Sequence, residues 1–156
     1  MIEQSRQGSD PILIEAWIAA RAGRPDETVD LLGPAALQGD DIGSVLLRSN
    51  RVLKRWLVAE AYESLGRPDS AAAYFELAMS PIGSTAALME ARIAHSYAHR
   101  RLVLLHVRMG RLEEARRHWE SFSATVTRPD PEILPLIEEA RAALASAEGM
   151  AKSARR

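Results

Sequence analysis

His95 and His99 stand four residues apart, and His106 lies seven further on. A helix carrying them turns all three imidazoles into one narrow sector, a placement from which nitrogen ligands could hold zinc. Yet no glutamate follows His95 in the His-Glu-x-x-His manner, and no carboxylate is spaced to act as a third ligand. The three are therefore read as packing or surface histidines, and neither a metal nor any other cofactor is expected. Ser44, Ser84 and Ser121 have no nucleophile elbow around them, and no pair of spaced carboxylates suggests a glycosidase or nuclease. The Gly-Arg-Pro-Asp runs at 23–26 and 66–69 lack the further glycines and the Lys-Ser/Thr that cradle phosphate. They read as turns, and the chain is expected not to be an enzyme.

The elements that would position these residues are helices. Of 156 residues, 47% are hydrophobic, enough for one compact domain. Ala and Leu dominate that set, and two Phe, three Tyr and three Trp are too few for a typical sheet. An all-α fold follows. Without cysteine there are no disulfides or thiolate sites, which suits a reducing compartment, and a cytoplasmic protein is expected. No apolar run of membrane-spanning length is present, so no membrane association is expected.

The net charge is −1, but it is segregated. Residues 1–50 hold four basic and eight acidic groups, whereas residues 92–118 hold seven arginines against two glutamates. Such a stripe orients partners or stacks copies head to tail, unless it is simply a solvated set of helix faces.

Three segments repeat: residues 14–32, 57–75 and 101–119. Each is an apolar helical run, a Gly-Arg pair at 23–24, 66–67 or 110–111, and a second amphipathic run opened by Asp26, Asp69 or Glu113. Glycine closes a helix in the left-handed conformation, Pro25 and Pro68 suit the first turn of the next, and the carboxylates favour its positive end. Ala71, Phe75 and Ala78 recur at helical spacing, as do Ala115, Trp119 and Phe122. Small residues followed by an aromatic knob one turn later are what a helical hairpin uses to pack on its neighbour.

These residues resemble the tetratricopeptide repeat, whose pattern joins small and aromatic positions around a glycine turn. The middle unit carries Val58, Ala59, Tyr62, Gly66, Ala71 and Phe75, and the third Leu102, Val103, His106, Gly110, Ala115 and Trp119. The first offers Ala16, Gly23 and Leu32, with Thr28 in the alanine position, and Arg55 or His99 stands where the family has tryptophan. The glycines are 43 and 44 residues apart, against about 34 in the family, so each junction carries roughly ten extra residues. They fall at 38–50 and 81–94. The second insertion either extends the following helix or forms a short one of its own. A looser likeness, from residue 48 onward, is to C-terminal helical regions of large bacterial signalling and regulatory proteins, which implies a sensor or docking part.

The resemblance implies an α-solenoid of about three antiparallel helix pairs, with a more irregular bundle as the alternative. Ile133, Leu136, Ile137, Ala140 and Leu144 form the apolar stripe of a final capping helix. Residues 1–9 read as a flexible tail, 10–148 as a single repeat domain, and 149–156 as a disordered basic tail. By analogy with the family, the first helix of each pair lines a concave groove: Leu13, Trp17 and Arg21; Leu53, Trp56, Glu60 and Ser64; Tyr97, Arg100, Leu104 and Arg108. Both Trp17 and Trp56 are expected to be partly buried between repeats. The function implied is a scaffold or docking module that binds a protein or peptide. Self-assembly as a homo-oligomer is the second reading, and RNA binding through the arginines, disfavoured by the near-neutral total charge, is the third.

Overall fold

A computed structural model describes residues 10–37, 45–79 and 88–154, with side chains described for these except 35, 45–50 and 88–94. Among them the fold is all-helical, with no strand: α1 (Pro11–Arg21), α2 (Pro25–Leu37), α3 (Val45–Ser64), α4 (Pro68–Ala78), α5 (Leu88–Arg108), α6 (Leu112–Thr125) and α7 (Leu134–Ser153). No helix among the described residues is long and apolar enough to cross a membrane. Of the two insertions, residues 45–50 begin α3 and 88–94 begin α5, so these parts extend the following helix. The remainder, 38–44 and 81–87, and the tail at 1–9 lie outside the described residues. The single domain expected at 10–148 divides into two compact units, Met1–Ala91 and Arg92–Arg156.

The three Gly-Arg turns share one geometry. Gly23, Gly66 and Gly110 have φ of 69°, 68° and 71°, a region closed to most side chains. The arginine amide after each glycine donates to the carbonyl five residues back: Arg24 to Ala19 at 2.9 Å, Arg67 to Tyr62 at 2.9 Å and Arg111 to His106 at 2.8 Å. Each glycine amide donates to the carbonyl three back, at 3.0–3.2 Å. Together these bonds satisfy carbonyls that a helix end leaves unpaired. Each arginine carbonyl then accepts the first bond of the next helix, from Thr28, Ala71 or Ala115.

Packing repeats with the turns. Ala16, Ala59 and Val103, seven residues before each glycine, are fully buried, as are Thr28, Ala71 and Ala115, five after it. Thr28 is tolerated there because its hydroxyl donates to the Arg24 carbonyl at 3.2 Å and lies 3.5 Å from that of Ala16. A buried hydroxyl without such acceptors would carry a desolvation cost of about 1–3 kcal/mol.

In the first unit α2 packs on α1 and α3, and α3 also packs on α4 and α1. Leu13, Ala16, Leu32, Ala36, Leu57 and Val58 form its core, with Tyr62 and Tyr74 against it. Asp10 caps α1 by accepting from the Leu13 amide at 3.2 Å and ties it to α3 through Lys54 Nζ at 2.6 Å. The Lys54 ammonium holds the Asp10 carboxyl below its usual range. In the second unit Val103, Leu104 and Ala115 close against Ala140 and Leu144 of α7. Arg100 pairs with Glu139 at 2.6 Å, and Arg116 with Glu148 at 2.7 Å, fastening α7 to α5 and α6.

The expected disordered tail is corrected over most of its length. Helix α7 runs through Gly149 to Ser153, and the Ser153 hydroxyl donates to the Gly149 carbonyl at 3.1 Å. A helix already packed along its first half propagates cheaply, at one new backbone bond per residue.

Candidate functional site

Helices α5 and α6 leave the turn at Gly110 and bring together all four histidines of the chain. His95 and His99, one helical turn apart on α5, have ring centroids separated by 5.9 Å. From α6, His118 reaches both neighbours: its Nδ1 lies 2.9 Å from His99 Nδ1, and its ring stacks on His106 at 5.3 Å with planes 5° apart. The Nδ1 contact requires one ring to donate a proton that the other accepts. Exposure falls along the row, from exposed His95 through half-buried His99 and His118 to buried His106.

Sequence reasoning missed His118, although the helix–turn–helix it recognised around Gly110 was the available signal. Residues on the two arms of such a turn become neighbours whatever their sequence separation.

Crowding and burial favour the neutral form of His99 and His118. Burial first, then the neighbouring His99, His106 and Arg117, push the His118 pKa down to about 4, with Glu114 opposing weakly. His99 is lowered too, by burial and then by His95. A histidine in the unfolded chain protonates near 6.5, so between about pH 6.5 and 4 the unfolded state holds more protons than the folded one. The stabilisation is therefore complete above pH 6.5 and is lost as pH falls toward 4. After allowance for solvent screening, His118 alone accounts for on the order of 2 kcal/mol. Urea titrations at pH 7 and 4.5 should show the second unit weakened at the lower pH. The difference should shrink in His118→Gln.

The residues expected to line a groove separate into two kinds. Trp17, Arg21, Leu53, Ser64, Tyr97 and Arg108 are exposed, while Trp56 and Glu60 are partly buried. Trp56 meets the Phe75 ring edge-on at 5.0 Å, and the Ser64 hydroxyl donates to the Glu60 carbonyl at 2.9 Å. Leu13, Arg100 and Leu104 are instead buried in the packing of their own units. Arg100 is taken up by its ion pair to Glu139, because α7 covers that part of α5. Trp17, expected to be partly buried between repeats, is 49% exposed.

Two further residues of α1 were not singled out from the sequence. Ile14 and Ile18 are about half exposed and share a face with Trp17, and the Arg21 guanidinium sits 5.5 Å from the Trp17 ring centroid. Leu13, Ala16 and Ala19 occupy the opposite, buried face, so α1 is apolar nearly all round. In the second unit Tyr97 and His95 border an open groove whose other wall is the 127–130 loop and Ile133.

No known family, curated protein or solved structure matches the chain.

Proposed function

We propose that the chain is a non-catalytic docking module of tetratricopeptide-like helical hairpins, which binds a protein or peptide partner through exposed apolar side chains of its helices. The observation that carries the reading is the stripe of Ile14, Trp17 and Ile18 on α1, bordered by Arg21. An aromatic anchor beside an arginine, set among aliphatics, has the composition of interface hot spots. A helix that buries one apolar face and presents another is explained if the second face also has a partner. The identically built turns support a repeat architecture, in which successive hairpins present their first helices as binding surfaces.

The arginine-rich segment supports this reading better than nucleic-acid binding. Arg100 and Arg116 are engaged by Glu139, Glu113 and Glu148, so those charges hold α7 in place. Phosphate binding would compete with these internal pairs.

A photo-reactive residue at position 17 should crosslink to a partner in host extract, whereas one at exposed Asp30 on α2 should not. Once the partner peptide is in hand, Trp17→Ala should weaken its binding by about tenfold or more, with little change in melting temperature. Equal crosslinking from both positions would overturn the assignment of the surface. The same stripe also suits a second copy of the chain, and light scattering distinguishes the two. Concentration-dependent mass abolished by Trp17→Ala would make self-assembly the function.

A further inference from the structure

We infer that the histidine cluster on α5 and α6 binds a divalent transition metal of the imidazole-preferring class, with His99 and His118 as the chelating pair.

Two nitrogens bound at about 2.05 Å stand about 2.9 Å apart at the right angles of a square-planar or octahedral centre, and about 3.3 Å apart at the tetrahedral angle of zinc. The His99 and His118 Nδ1 atoms are separated by 2.9 Å. A small rotation of each ring turns lone pairs that face one another toward a common point. The His106 ring stacks parallel on His118, so its lone pairs run alongside that point and do not converge on it. Two imidazole nitrogens with open positions for water suit copper, nickel or zinc, and not magnesium or calcium, which take oxygen ligands.

The two ligands come from different helices, so they meet only if the helices are already paired. That pairing is secured by the turn at Gly110 and by the buried contact of Val103 with Ala115. The metal therefore does not have to bear the cost of ordering its ligands. Glu114, one turn before His118 on α6, adds a nearby negative charge that favours a cation, and Arg117, 3.9 Å from Glu114, partly offsets it. His99 and His118 are each only half-buried, so the pair keeps contact with solvent.

The sequence alone weighed three histidines on one helix and found no third ligand type. What changes the balance is His118, which converts a row of packing residues into a two-helix chelate.

The test uses the full chain without an affinity tag, stripped with chelator and titrated calorimetrically with zinc chloride. Uptake of about one zinc per chain, with a dissociation constant at or below roughly 10 µM, is expected. His99→Gln and His118→Gln should each weaken binding by about tenfold or more, and His95→Gln should change it by less than about threefold. A readout on the unaltered chain guards against variants that misfold. Cobalt(II) should broaden the imidazole resonances of His99 and His118 ahead of those of His95. No stoichiometric zinc uptake, uptake that survives both substitutions, or broadening confined to His95 would overturn the assignment.

Discussion

Phe75→Ala should lower the stability of the first unit by about 4 kcal/mol. Phe75 is fully buried on α4 among other completely enclosed side chains, and the ring of Trp56 on α3 meets it edge-on at 5.0 Å. Truncation removes the transfer free energy of the ring and leaves a cavity that Ala71, Ala72 and Ala78 on the same helix are too small to fill. It also removes an aromatic pair worth about 0.5–1.5 kcal/mol beyond area burial. The urea midpoint followed by Trp56 fluorescence measures this directly. The corresponding residue of the third repeat, Trp119, is only partly buried, so Trp119→Ala should cost less, about 2 kcal/mol. Equal losses at the two sites would mean that repeat position, and not local enclosure, sets the cost.

Arg55→Ala should cost about 2–3 kcal/mol through a different mechanism. Its Nε donates to the Ala36 carbonyl at 3.1 Å, and a terminal nitrogen donates to the Leu77 carbonyl at 2.8 Å. Both acceptors lie in the last turn of their helices, α2 and α4, where carbonyls have no partner within the helix. One guanidinium on α3 therefore closes two helix ends. Burial, then the nearby Arg51, lowers its pKa, but an arginine remains charged and the two bonds are charge-assisted. Lysine has neither the planar fork nor the span between the two carbonyls, so Arg55→Lys should recover less than half of the loss. Thermal melts of the three forms, monitored by circular dichroism, are the check. Full recovery by lysine would show that charge, not donor geometry, is what matters at this site.

The two positions where the family resemblance puts tryptophan illustrate how far a repeat pattern carries. Arg55 and His99 occupy equivalent places, yet Arg55 clamps two helix ends while His99 meets His118 across a turn. The pattern locates the position, and the neighbours assign its task.

The elements whose causes are local were legible in the sequence. The helices arise from apolar periodicity, and their ends from Gly23, Gly66 and Gly110, because a left-handed residue and the bonds around it involve only about six consecutive residues. The apolar stripe of α7, with Ala140 and Leu144 buried, was legible for the same reason. Tertiary structure alone decided which faces are covered. Arg100 and Leu104, assigned from the sequence to a groove, are buried because α7 lies over them, and Trp17 is exposed because the packing of α1 stops at Leu13, Ala16 and Ala19. His118 joined the other histidines only when α5 and α6 paired. Burial and proximity are properties of two elements at once, and the periodicity of either one alone cannot encode which partner it will meet.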